Sequence, residues 1–116
     1  MKKFLAVFIG TEASSAKWEK LDEKTRSERE KEGLAAWHSW VEKNKKSLID
    51  VGSPLGSTKK IGPSGISDFS NELCGFTVVL AESHEAAARL FVNHPHFTIF
   101  PGDSIEVMEC LDIPGM

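Results

Sequence analysis

Four segments of the chain carry the hydrophobic pattern of β-strands. Residues 4–9 form a short run of aromatic and branched side chains that ends at Gly10, and this favours a strand over a helix. Residues 74–81 and 104–111 also predict strands, and residues 48–51 predict a further strand that ends in a Gly-Ser-Pro turn. The segments 4–9 and 74–81 are apolar on both faces, so we expect both of their faces to be covered.

Two segments have helical periodicity instead. Residues 14–46 predict a first helix with Ser14 or Ser15 as N-cap and a weak break near residues 21–22. Its apolar positions recur at intervals of three and four residues, at Leu34, Trp37, His38 and Val41. A second helix follows Ser83, and Pro95 is expected to end it, because a residue before proline disfavours helical geometry.

This order of elements predicts an α+β fold of the ferredoxin-like β-α-β-β-α-β type, with a four-stranded antiparallel sheet. The first and third strands are expected at the centre, with both helices on one face. The other face is equally apolar, and no sequence remains to cover it. We therefore expect one domain over residues 1–116 that pairs with a second copy as a homodimer.

Composition and charge limit the kinds of partner that we expect the protein to bind. The 116 residues carry a formal net charge of −3, which does not favour binding to nucleic acid. No apolar run approaches the roughly 20 residues that cross a bilayer, and the N-terminus lacks a small-residue cleavage site. The sequence therefore predicts a cytoplasmic protein with neither a nucleic-acid nor a membrane partner.

The two cysteines do not indicate a metal centre. Cys74 and Cys110 are too few for a disulfide framework and have no partner at metal-ligand spacing. We expect buried free thiols, and the sequence predicts no metal and no cofactor.

The candidate chemistry lies at three polar positions near apolar segments. His94 and His96 are separated by one proline, and in an extended segment both imidazoles would face one side, where they could act as acid and base or hold a ligand anion. The alternative is that they end the helix, with one imidazole capping it. Asp50 interrupts an apolar strand, so its carboxylate either enters a cleft and orients a histidine or lies exposed at a strand end.

Two further candidate site residues are on the first helix, and the segment after the second strand is a candidate cover for the site. His38 and Trp37 are read either as ligand-binding residues or as part of the packing stripe. Residues 52–71 are rich in Gly, Ser and Pro, which indicates a mobile or functional loop that would roof a pocket between the sheet and the first helix.

Several short motifs resemble those of the YCII-related family, and the resemblance extends over nearly the whole chain. The motifs are Asp50-Val51-Gly52-Ser53-Pro54-Leu55-Gly56, Cys74-Gly75-Phe76, Ala81-Glu82-Ser83, His94-Pro95-His96 and the C-terminal tail from Ser104 to Met116. The resemblance implies a ferredoxin-like subunit in a dimeric α/β barrel. It also implies that some members are small-molecule enzymes with a His-Asp pair in a cleft.

The same resemblance bears on individual residues. The family's first-helix histidine lies about two residues from His38, and the Asp-Gly-Pro-Phe motif of one branch is reduced to Asp68-Phe69. This adds Ser67 and Asp68 to the ligand-binding candidates. The leading hypothesis is proton transfer on a small organic ligand by His94, His96 and Asp50. The alternative is a homodimer that binds a ligand without catalysis or is purely structural.

Overall fold

The computed structural model describes residues 1–116, which form six strands and four α-helices. In chain order these are β1 (Lys2–Ile9), α1 (Glu12–Glu19), α2 (Glu23–Lys43), β2 (Leu48–Pro54), β3 (Thr58–Gly62), β4 (Gly65–Phe69), β5 (Leu73–Ala81), α3 (His84–Arg89), α4 (Pro95–Thr98) and β6 (Ser104–Glu109). None of the helices is long and apolar enough to cross a membrane.

Four of the strands form one antiparallel sheet in the order β2-β5-β1-β6. The predicted α+β ferredoxin-like class is therefore confirmed, with the first strand and the strand of residues 73–81 at the centre. The two remaining strands, β3 and β4, pair only with each other and form a separate hairpin.

The core lies between one face of the sheet and the helices. On β1 the side chains of Phe4, Ala6 and Phe8 are buried, and Val79 of β5 pairs with Phe4 on the same face. Helix residues including Trp40 and Ala87 join this cluster. The alternate residues Leu5 and Val7 are only half-buried, because nothing in the subunit covers the second face. We refer to this second face as the open face.

Several predicted boundaries are corrected. The helical segment divides into α1 and α2 with a break at residues 20–22, close to the predicted one. The N-cap of α1 is Thr11 rather than Ser14 or Ser15, and its hydroxyl accepts a hydrogen bond from the backbone N–H of Ser14 at 3.3 Å. Pro95 begins α4 instead of only ending a helix, because proline is well tolerated in the first turn.

The segment of residues 52–71 is not an irregular loop. It contains the β3–β4 hairpin, in which Ile61 pairs with Ile66 next to the turn. The molecule measures 54 × 43 × 18 Å and has a radius of gyration of 16.2 Å. A compact domain of this length would have a radius of gyration of about 13 Å, so the subunit is extended.

Both cysteines are free, but the expectation that they are buried is wrong. Cys74 and Cys110 are exposed, and they lie on opposite sides of β1. Both cysteines lie at strand ends, Cys74 as the second residue of β5 and Cys110 directly after β6, where fewer neighbouring elements cover a side chain.

Candidate functional site

A cavity of about 780 Å³ opens between α2 and the helix-covered face of the sheet. Its size lies within the range of small-molecule binding pockets. Fifteen residues line it, eight of them hydrophobic: Phe8, Leu34, Trp37, His38, Val41, Glu42, Val51, Gly52, Ser53, Pro54, Cys74, Gly75, Phe76, His96 and Phe100. The predicted place of a pocket, between the sheet and the first long helix, matches this cavity.

Aromatic side chains form much of the pocket wall. The ring of Trp37 meets Phe8 edge-on with centroids 5.3 Å apart, and it meets Phe100 at 6.1 Å. Phe100 can lie against α2 because residue 33 is glycine, where a Cβ atom would be only 2.5 Å from the Phe100 ring. A glycine within a helical pattern is the sequence signal for such close packing. Phe100 was missed entirely.

His96 is the buried titratable group on the pocket wall. Its side chain is 6% exposed and its ring stacks on Phe8 with centroids 5.1 Å apart. Nε2 lies 2.9 Å from the carbonyl oxygen of Ile9, and because a carbonyl only accepts, Nε2 carries the hydrogen. Nδ1 makes no hydrogen bond within the protein. In the neutral ring Nδ1 therefore has a lone pair that no group of the protein engages.

Gly102 closes the other side of the His96 imidazole. A Cβ atom at this position would lie within 2.4 Å of the imidazole and of the His96 carbonyl oxygen, so only glycine fits there. The backbone N–H of Gly102 also donates to that carbonyl at 2.9 Å. These contacts fix the orientation of the His96 ring.

His94 has a different environment, although it is only two residues away. Its side chain is fully buried among aromatic rings, with Trp37 at 4.5 Å and Trp40 at 4.7 Å between centroids. Nδ1 accepts a hydrogen bond from the backbone N–H of His96 at 3.0 Å, which caps α4. Nε2 is buried without a partner. Burial, with the nearby His96 as a smaller cause, lowers the pKa of His94 to about 4.

The expectation of two imidazoles facing one side is therefore wrong. The chain turns into α4 at Pro95 instead of remaining extended, so His96 lines the pocket while His94 does not. The capping alternative describes His94, although it caps the start of a new helix and not the end of the previous one.

Asp50 is not brought together with either histidine. It pairs with Val78, and Val78 pairs with Leu5 on the open face, so Asp50 is on the side of the sheet away from the pocket. Its carboxylate accepts a hydrogen bond from the backbone N–H of Gly52 at 2.8 Å. Of the two alternatives for Asp50, the position in the cleft is wrong, and the carboxylate lies exposed on the strand.

This contact predicts a structural role for Asp50. Asp50→Ala should lower the free energy of unfolding by about 1 kcal/mol, because the N–H of Gly52 loses its acceptor. Asp50→Asn retains an oxygen acceptor and should lose less than half of that. Urea unfolding of the two variants measures the difference, and equal losses would contradict the assigned contact.

The remaining predicted residues separate into two groups. Trp37 and His38 both line the pocket, with His38 exposed at its mouth. Ser67 and Asp68 lie on β4, outside the pocket, and Asp68 forms an ion pair with Lys59 across the hairpin. Only residues 52–54 of the predicted roof line the pocket.

Two polar residues near the pocket were not predicted as site residues. Cys74 lines the pocket, and its Sγ donates to the carbonyl of Phe8 at 3.2 Å. Although the residue is exposed as a whole, partial burial of the thiol raises its pKa, so the thiol stays protonated near neutral pH. Asp103 accepts hydrogen bonds from the backbone N–H of Thr11 at 3.0 Å and from its hydroxyl at 3.1 Å.

The groups around Asp103 favour its ionised form. Hydrogen bonding from Ser14 and Thr11 lowers the pKa of Asp103, and the positive charge of a protonated His96 lowers it further.

No group of three or more His, Cys, Asp or Glu side chains is placed to hold a metal ion.

Comparisons with known proteins support the architecture. No family model matches the sequence, and no curated protein sequence matches it. Among solved structures the chain is similar to 5-chloro-2-hydroxyhydroquinone dehydrochlorinase (TftG) from Burkholderia phenoliruptrix AC1100 in complex with 2,5-dihydroxybenzoquinone. The TM-score is 0.54 at 18% sequence identity, over 91% of this chain and 90% of that chain. At this identity the likeness establishes the fold alone.

Proposed function

We propose that the protein is a small-molecule enzyme in which His96 transfers a proton to and from a flat ligand in the pocket. The observation that carries the proposal is the arrangement of the His96 ring. Its Nε2–H is engaged by Ile9, its Nδ1 is unoccupied, and the ring is part of the pocket wall. A neutral imidazole held in this way has one defined basic nitrogen, as general acid-base catalysis requires.

The pocket walls favour a planar ring as the ligand. Trp37, Phe8 and Phe100 offer ring faces and edges, and rings stack or meet edge-on with other rings at such distances. The polar side chains of His38, Glu42 and Ser53 line the pocket together with His96, so the ligand can carry hydroxyl or carbonyl groups around its ring. The solved dehydrochlorinase binds a ligand of this kind, 2,5-dihydroxybenzoquinone.

The proton transfer involves only the ligand and the side chain of His96, which takes up one proton and returns one. Nδ1 of His96 takes a proton from an O–H or C–H bond of the ligand, whose electron pair delocalises into a conjugated carbonyl. The resulting imidazolium returns a proton to another atom of the ligand. Asp103, whose ionised form is favoured by positive charge on His96, is the carboxylate that would stabilise this imidazolium in place of Asp50.

The proposal includes three broader statements about the protein. We propose that the subunit is a single domain that pairs through its open face, as in a dimeric α/β barrel of the YCII-related type. Half-buried apolar residues of β1 and β5 support this pairing, because such a face seldom stays in water. Location in the cytoplasm stays a prediction from the sequence.

The test uses 2,5-dihydroxybenzoquinone as the probe. We expect it to quench the tryptophan fluorescence of the protein, since Trp37 lines the pocket. In D₂O the protein should accelerate the exchange of the ring C–H protons, measured by proton NMR. His96→Asn should reduce the exchange rate at least about 100-fold, because it removes the acid-base group.

A matched control is His84→Asn, which removes an exposed histidine on α3 outside the pocket. It should leave both binding and exchange unchanged. A variant His96→Asn that exchanges as fast as the wild type would overturn the assignment of His96.

The second candidate function is binding without catalysis. The position of Asp50 outside the pocket favours it, because the predicted His-Asp pair is not assembled there. Binding of the probe with no acceleration of exchange in the wild-type protein would favour this candidate over the enzyme.

A further inference from the structure

The β3–β4 hairpin, which we refer to as the arm, has the properties of an element that needs a partner. The arm pairs only with itself and belongs to no larger sheet. A two-stranded hairpin by itself is marginally stable in water, and it is normally stabilised by packing of one face against other structure. No residue of the arm lines the pocket, so it is not a cover for the site of its own subunit.

One face of the arm carries an exposed apolar pair. Ile61 and Ile66 are directly opposite each other, and they are 75% and 74% exposed. The neighbouring pair on the same face is the Lys59–Asp68 ion pair. Two adjacent isoleucines with this exposure at the tip of a projecting element are typical of an interaction surface.

Other surfaces of the molecule indicate that the partner of the arm is a second copy of the chain. The arm continues from β2, whose sheet presents the open face, so an arm that packs on a partner would extend the proposed dimer interface. An interface between two identical copies must be self-complementary. Charge is also complementary: Lys60, on the other face of the arm, has no carboxylate partner, and Glu106, which is on the open face because it pairs with Val7, forms no ion pair.

We propose that the arm is a dimerisation element whose Ile61–Ile66 pair packs against the second copy. This inference rests on the proposed homodimer and adds to it a specific contact made by residues 58–69. It explains why the subunit is extended, since the arm projects towards a neighbour and not onto its own core. It also explains how an isolated hairpin retains its pairing.

The experiment is sedimentation analysis of the full chain over a range of concentrations. The double variant Ile61→Ser/Ile66→Ser should raise the dimer dissociation constant about tenfold or more, because apolar anchors dominate protein interfaces. The control is Val92→Ser, which changes a 63% exposed apolar residue after α3, within the helix layer. It should leave the dissociation constant unchanged.

A measurement on the wild-type protein does not depend on how the variant folds. Hydrogen exchange of the arm amides, at residues 58–69, should slow as concentration rises through the dissociation constant. A wild-type dimer whose arm exchanges equally fast at all concentrations, or that is unaffected by the double variant, would overturn the role of the arm alone. A wild-type protein that stays monomeric throughout would overturn this inference and the proposed homodimer, but not the assignment of His96.

Discussion

Gly52→Ala is expected to lower the free energy of unfolding by about 3 kcal/mol or more. Gly52 has a φ of +80°, a conformation that alanine adopts only with strain. A Cβ atom there would lie 1.6 Å from the carbonyl oxygen of Phe76. Both atoms belong to paired strands, so no side-chain rotation can relieve the overlap, and β2 would have to separate from β5. Urea unfolding measures the loss.

Gly56→Ala is the matched control for this prediction. Gly56 lies four residues further along the same segment, and a Cβ atom there would have no neighbour within 4 Å. Its free energy of unfolding should stay within about 0.5 kcal/mol of the wild type. Because Gly52 also lines the pocket, Gly52→Ala should weaken probe binding as well. Equal stability of the two variants would contradict the described pairing of β2 with β5.

Acidification from pH 6.5 to pH 4 is expected to destabilise the protein by about 3 kcal/mol through His94. The pKa of His94 is about 4 in the folded protein, against an ordinary value of 6.5. Between these two pH values the unfolded chain binds a proton that the folded chain does not. The free energy of unfolding therefore falls as pH falls through this window, and the effect of His94 disappears as pH rises further above 6.5.

His94→Asn tests the assignment to this residue. Asparagine retains a side-chain acceptor for the backbone N–H of His96, but it does not titrate. The variant will be less stable because the aromatic cluster loses a ring, so the diagnostic quantity is the slope of stability against pH. Urea unfolding at several pH values should show a flatter profile between pH 4 and 6.5. The lowered pKa values of Asp22 and Asp103 also reduce stability at acidic pH, but they act in the wild type and the variant alike and so cancel in the comparison.

The sequence was sufficient for the architecture and for the region of the pocket. The apolar residues on both faces of segments 4–9 and 74–81 identified the two central strands, because a strand with two apolar faces lies between neighbouring strands. The stripe that includes Trp37 and His38 identified the helix face that lines the pocket. These inferences succeeded because they depend on local periodicity, which the backbone geometry of a strand or helix translates directly into a side-chain direction.

The chemistry of individual side chains was decided by contacts between distant residues. His94 and His96 are nearly adjacent in sequence, yet one caps a helix inside an aromatic cluster and the other lines the pocket, because the chain turns at Pro95. Asp50 lies across the sheet from both, where a local irregularity in the β2–β5 pairing sets its direction. Strand register of this kind depends on backbone packing such as that of Gly52 on Phe76.

Local pattern in this chain thus determines which elements form and which of their faces avoid water. Only the tertiary structure determines which polar group meets which, as in the contact of His96 with Ile9, 87 residues away. The physical reason is that hydrophobic burial is non-directional and leaves its pattern in the sequence, whereas a hydrogen bond depends on tenths of an ångström between residues that the fold brings together.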